Sequence, residues 1–182
     1  MEELTFIKSL TPEEVFALWQ SNEKDIEHWK PFWEAKGFNS WTEWRQATHK
    51  ALFEKPLKWS LCKVEDPFKS TPEWRGGMFN AWNKWFYPVL SEQPPRFKDL
   101  IAHPGVHNHW FIRKIADNFE TPTTVMAIRM PNGEICIAEG MHRCSAIALM
   151  TQEKRATNIE MNVMLAEWPE NTPPKLGIGW DK

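Results

Sequence analysis

The segment Glu139-Gly140-Met141-His142-Arg143-Cys144-Ser145 gathers residue types that handle anions. It follows the apolar run Ile135-Cys136-Ile137-Ala138 and precedes Ala146-Ile147-Ala148-Leu149-Met150, which reads as a buried strand turning into a helix. A helix that starts straight after a strand leaves its first N–H groups without intrahelical acceptors, and its dipole favours negative charge there. Gly140 permits unusual dihedrals and a close backbone approach. Arg143 offers a planar fork for phosphate oxygens, His142 adds one or two donors, and Ser145 adds a hydroxyl one turn further on. Gly140, Met141, His142, Arg143 and Ser145 are therefore the expected phosphate-binding residues. A carboxylate beside a phosphate is repulsive unless it holds a metal or acts as a base, so Glu139, with His142, is a candidate catalytic residue. The same residues also fit a plainer role, in which the helix start caps itself and Arg143 pairs with Glu139. Neither GxxxxGK[ST] nor GxGxxG occurs.

Other groups lie upstream. Arg96 and Lys98 could reach phosphates from the far side of such a pocket or stand as solvated surface charge, and Arg75 before Gly76-Gly77 is a weaker candidate of the same kind. His103, His107 and His109 form an HxxxHxH cluster in a Pro/Gly segment. Three imidazoles could take zinc or another transition metal, but a loop does not hold them on one face and no Cys or acid stands between them. No metal is expected, and a polar loop or a ligand contact remain the other readings. Cys136 reads as a small buried hydrophobe, and Cys144 could have its pKa lowered by the helix start and Arg143.

The elements that must position these groups fall into two regions. Residues 1–92 read as a mostly helical, Trp-rich region and a candidate cap over the pocket. Thr11-Pro12-Glu13-Glu14 is a capping box with proline at the first helical position. A second helix is expected over 23–35, closing at Gly37, and a third opens at Ser40-Trp41-Thr42-Glu43 and runs to about residue 53. A helical rhythm returns over 78–90. Pro94-Pro95 marks a boundary, and residues 93–170 form a second domain. There a short helix is expected over 96–102, a loop over 103–106, a helix over 109–119, a strand over 124–130, an Asn132-Gly133 hairpin, a strand over 135–139, a helix over 142–152 and a last strand over 159–168. Residues 171–182 read as a poorly ordered tail. The fold class is α+β.

The order strand, Asn-Gly hairpin, strand, Gly140-Met141-His142-Arg143-Cys144-Ser145-Ala146, helix, strand resembles the ParB/sulfiredoxin superfamily, whose signature is Gly-x-[His/Arg]-Arg-x-x-Ala at a helix start after a hairpin. The resemblance covers about residues 94–168. It implies a small mixed sheet with helices and a nucleotide ligand, ATP or CTP, with Mg²⁺ as a further candidate. Sulfiredoxins place a reactive Cys directly before the His-Arg pair, where this chain has Met141, so their repair chemistry is not expected. The ParB helix-turn-helix module is not expected in the residues after Trp168. A serine-kinase branch uses an acidic base, for which Glu139 is the counterpart. Nuclease and ATPase members also exist, so nucleotide binding is implied more firmly than any one reaction.

Bulk properties limit the alternatives. The chain has 182 residues, a formal net charge of −2 and 42% hydrophobic residues. No apolar run approaches the ~20 residues of a spanning helix, so a membrane partner is not expected. Three cysteines at irregular spacing suggest reduced thiols and a cytoplasmic location. The basic excess of an extended DNA-binding surface is missing, so a ParB-like DNA-associated module or nuclease is the less favoured reading. Twelve Trp residues against one Tyr point to a helical core filled with large rings, or to an aromatic surface on a non-catalytic interaction protein.

Overall fold

The computed structural model describes residues 4–23, 26–87, 93–155 and 157–177. The chain opens with strand β1 (Leu4–Leu10), followed by helices α1 (Pro12–Asn22), α2 (Ile26–Ala35), α3 (Trp41–Thr48) and α4 (Lys50–Phe53), then strand β2 (Trp59–Val64). Next come α5 (Pro67–Ser70), a 3₁₀ turn (Thr71–Glu73), β3 (Met78–Phe79) and α6 (Asn80–Trp85). The remainder runs α7 (Phe97–Leu100), α8 (Pro104–His107), α9 (Trp110–Asp117), β4 (Thr123–Arg129), β5 (Ile135–Glu139), α10 (Met141–Gln152), β6 (Met161–Glu167) and β7 (Lys175–Leu176). The fold class is α+β, as expected.

Local chemistry sets several of these boundaries. Thr11 Oγ1 accepts from the Glu14 amide while Glu14 accepts from the Thr11 amide, completing the capping box that starts α1. Ser40 Oγ likewise accepts from the Glu43 amide, but Glu43 turns to Asn39 instead of closing a reciprocal box. The helix expected to reach residue 53 breaks at His49, whose φ/ψ of −118°/21° leaves the helical region. Gly133 takes φ +84° in the β4–β5 hairpin, as the Asn-Gly pair requires.

The main sheet has the order β1-β2-β6-β4-β5. Every neighbouring pair is antiparallel except β4 with β6, which run parallel because α10 carries the chain back across the sheet. Alternation along the central strands divides the core in two. Val125, Ala127, Ile135, Ile137, Val163 and Leu165 face α10 and its neighbours, whereas Met126, Ile128, Cys136, Ala138, Met164 and Ala166 face the tryptophan-rich layer.

Two strands depart from the expectation for the first region. β1 and β2 join the same sheet as β4, β5 and β6, so the sheet crosses the expected boundary near residue 93. β2 was hidden because Trp59-Ser60-Leu61-Cys62-Lys63-Val64 lies between Pro56 and Pro67 and mixes both core faces in one short run. β1 is an edge strand, exposed along most of its length, with a register shift between Phe6 and Lys8 that spoils any period of two. Residues 78–79 form a strand rather than the start of a helix, and they pair with β7 in the segment expected to be a tail. Residues 88–92, in the expected helix over 78–90, and 178–182 of the tail lie outside the described residues. The expected loop at 103–106 winds into α8 instead.

The tryptophans mostly fill the core. Trp19, Trp33, Trp41, Trp44, Trp59 and Trp168 are buried in the layer beneath the sheet, and Trp74 and Trp82 in the layer above it. Phe16, Trp19 and Trp41 meet edge to face at centroid distances of 5.3–5.5 Å. Such pairs contribute about 0.5–1.5 kcal/mol each beyond area burial. Among the described residues no helix is long and apolar enough to cross a membrane.

Candidate functional site

β5 delivers the chain into α10 through Gly140, at φ +104°. A side chain there would be excluded twice over: the φ disfavours it, and its Cβ would lie 2.5 Å from Val125 Cγ1. Cys144 N donates to Gly140 O at 2.9 Å, the first bond of the helix. Glycine supplies no capping group, so the amides of Met141, His142 and Arg143 have no acceptor among the described residues.

A second bare helix start lies beside it. His109 precedes α9 without capping it, and the first helical bond runs from Arg113 N to His109 O at 3.0 Å. The amides of Trp110, Phe111 and Ile112 therefore also have no acceptor among the described residues. Ring contacts join the two starts: His142 lies 5.5 Å from His109 and 5.2 Å from Phe111, centroid to centroid. Side chains from the positive ends of two helix dipoles thus meet at His142.

His142 sits in an aromatic alcove. Trp82 closes one side, edge to face at 5.3 Å. Neither imidazole nitrogen has a hydrogen-bond partner among the described residues. Burial, reinforced by His109 and Arg143, pushes the His142 pKa down to about 4. Burial also lowers that of His109, whose Nδ1 is buried without a partner among the described residues. Phe86 extends the alcove, 6.4 Å from His109 and 5.6 Å from His103. Two imidazoles whose ring nitrogens have no hydrogen-bond partner among the described residues, next to bare amides, can hold a polar anionic group.

Arg143 has a different environment. Its Nη2 donates to both oxygens of Glu139, at 2.8 and 2.5 Å. Its Nη1 donates to Thr123 Oγ1 and to the Thr124 carbonyl, each at 2.9 Å. The fork expected to grip phosphate instead fastens the first turn of α10 to the end of β5 and the start of β4. With both oxygens held by one cation, Glu139 is not poised to abstract a proton or to ligate Mg²⁺ in this arrangement.

A second ion pair lies next to this one. Glu23 accepts from Arg45 Nη2 and from Trp41 Nε1, and both charged side chains are largely buried. Burial raises the Glu23 pKa, which Glu139 raises further, and burial lowers that of Arg45. Indole faces surround Arg45, with Trp44 at 3.9 Å, Trp19 at 5.2 Å and Trp29 at 5.7 Å from the guanidinium carbon.

The remaining expected residues scatter. Met141 buries its side chain, and its Sδ accepts from the Gly77 amide at 3.1 Å, so only its backbone faces the turn. Ser145 is fully buried, and its Oγ has no partner among the described residues. Arg96 and Lys98 bind Glu73, and Arg96 reaches Glu134 beside Arg75. Glu134 precedes β5 and Glu139 ends it, so these cations sit at the opposite end of the strand from Gly140. The histidine trio is not assembled as a metal centre: His103 Nδ1 accepts from the Gly105 amide, and His107 offers its carbonyl to Arg113. Among the described residues no group of three or more His, Cys, Asp or Glu side chains could hold a metal ion. Cys136 and Cys144 are buried, and burial pushes both thiols far up, so neither is a reactive thiolate.

Sequence reasoning placed His142 and His109 in separate motifs and missed Trp82, Phe86 and Phe111 as their surroundings. No local pattern signals contacts made across 17 to 60 residues of chain. No protein-family model, curated protein or solved structure matches the chain.

Proposed function

We propose that the alcove at the start of α10 binds a phosphate-bearing small molecule, a nucleotide as the resemblance to the ParB/sulfiredoxin superfamily implies. One observation carries this reading: two uncapped helix N-termini adjoin at an imidazole with no hydrogen-bond partner among the described residues. Bare amides and a positive dipole end are a ready anion site. His142 and the amides of residues 141–143 hold the phosphate, with His109 beside them. Arg143 acts as a positioning residue, locked to Glu139 and β4, rather than as the phosphate clamp. An imidazole with a pKa of about 4 is neutral at pH 7 and a weak general base, so the geometry supports binding more directly than proton abstraction. A nearby phosphate favours the imidazolium, so affinity should rise as pH falls from 7 towards 6.

Calorimetric titration of ATP, CTP and inorganic tripolyphosphate at pH 7 tests the reading. Binding to the wild type that is weakened by roughly tenfold or more in His142→Phe, which keeps the ring volume, is the expected result. Equal affinity in the variant, or no binding to the wild type, overturns it.

A further inference from the structure

Trp110 stands apart from the core tryptophans: the residue is 71% exposed although it opens α9 beside His142. Trp85 is also exposed, at 65%, but the Lys84 ammonium lies 5.2 Å over its ring. The ring contacts of Trp110 among the described residues are with His109, nearly parallel at 15° and 6.5 Å, and with Phe111 at 5.3 Å. Phe111 in turn lies 5.2 Å from His142. A large open π-face is therefore held two ring-to-ring steps from the group assigned to phosphate, a span that a mononucleotide covers from base to phosphates.

We infer that Trp110 is the stacking platform for the planar base of a nucleoside phosphate whose phosphates sit at His142 and the amides of residues 141–143. This inference rests on the phosphate-binding reading above and adds the residue that distinguishes a nucleotide from a bare polyphosphate. The buried His109 Nδ1, without a partner among the described residues, and the His142 ring beside it mark the polar end of the site, and the indole marks its apolar end. Stacking tolerates any base because every base offers a π-face. The platform therefore supplies nucleotide affinity without choosing between ATP and CTP. An exposed ring is removable without opening a cavity, so Trp110 variants keep the fold.

The test compares ATP with inorganic tripolyphosphate by calorimetry on the wild type, Trp110→Leu and Trp110→Phe. Trp110→Leu is expected to weaken ATP roughly tenfold or more while leaving tripolyphosphate unchanged, and Trp110→Phe to keep most of the ATP affinity. Unchanged ATP affinity in Trp110→Leu, with tripolyphosphate still bound, overturns the platform and leaves the phosphate reading standing. Equal weakening of both ligands also overturns it, because the ring would then act through the helix start rather than on a base. Failure of the wild type to bind either ligand removes the phosphate reading and the platform with it.

Discussion

Replacing Arg143 by alanine separates a positioning role from a phosphate clamp. Arg143 and Glu139 keep only 23% and 18% of their side-chain surface exposed and share a two-oxygen contact. Removing one partner of a fully buried pair costs about 3–5 kcal/mol because the other charge is left uncompensated. Partial exposure reduces that figure, whereas loss of the bonds to Thr123 and Thr124 adds to it, so a destabilisation of about 3 kcal/mol is expected. Glu139→Gln keeps the shape and one acceptor, and should cost about 1–2 kcal/mol. The double variant Glu139→Gln/Arg143→Ala should fall short of the sum of the singles by about 1–3 kcal/mol, the signature of residues in contact. Urea unfolding at pH 7 reads these values as midpoint shifts of roughly 1–2 M for Arg143→Ala at unchanged slope. An Arg143→Ala protein within about 0.5 kcal/mol of the wild type that has nonetheless lost phosphate binding would refute the reasoning.

Two further predictions concern stability alone. His49 is buried, bonded to the Ala138 carbonyl and to Thr48 Oγ1, and burial pushes its pKa from 6.5 to about 3; with His142 at about 4, the folded chain binds fewer protons than the unfolded one between these values and 6.5. The stability held by the neutral imidazoles is therefore complete above pH 6.5 and lost as pH falls through this window, at up to about 1.4 kcal/mol per pH unit for each histidine, and an unfolding free energy that stays flat from pH 6.5 to 4.5 would contradict the assignment. Lys154 ends α10 at φ +53°, with its amide bonded to Thr151 O and the Arg155 amide to Met150 O. That is a Schellman turn with a side chain where glycine is favoured, so Lys154→Gly should stabilise by up to about 1 kcal/mol in thermal unfolding, and a lowered midpoint would count against it.

Elements whose signals are local were legible in the sequence. The capping box at Thr11, the Asn132-Gly133 hairpin and the strand-to-helix turn at Gly140 each rest on a few adjacent residues whose conformational preferences agree with the fold. β1 and β2 were not legible, because an edge strand with a register shift and a short strand serving two core faces lack the simple alternation that marks a half-buried strand. The turn was singled out as a candidate site, but not which of its side chains stays available. Arg143 is captured by Glu139 four residues earlier, a pairing the sequence allowed without choosing it over phosphate. The His142–His109 pair and its aromatic walls depend on how α6, α8 and α9 pack around the start of α10.

The central claim, that two bare helix starts and His142 form an anion site, is tested most directly by following backbone amide resonances during titration with tripolyphosphate. Saturable shifts concentrated on the amides of residues 110–112 and 141–143, with the His142 ring moving in step, are the predicted result. Saturable shifts centred instead on Arg96 and Lys98, or no saturable shift at all, would contradict it.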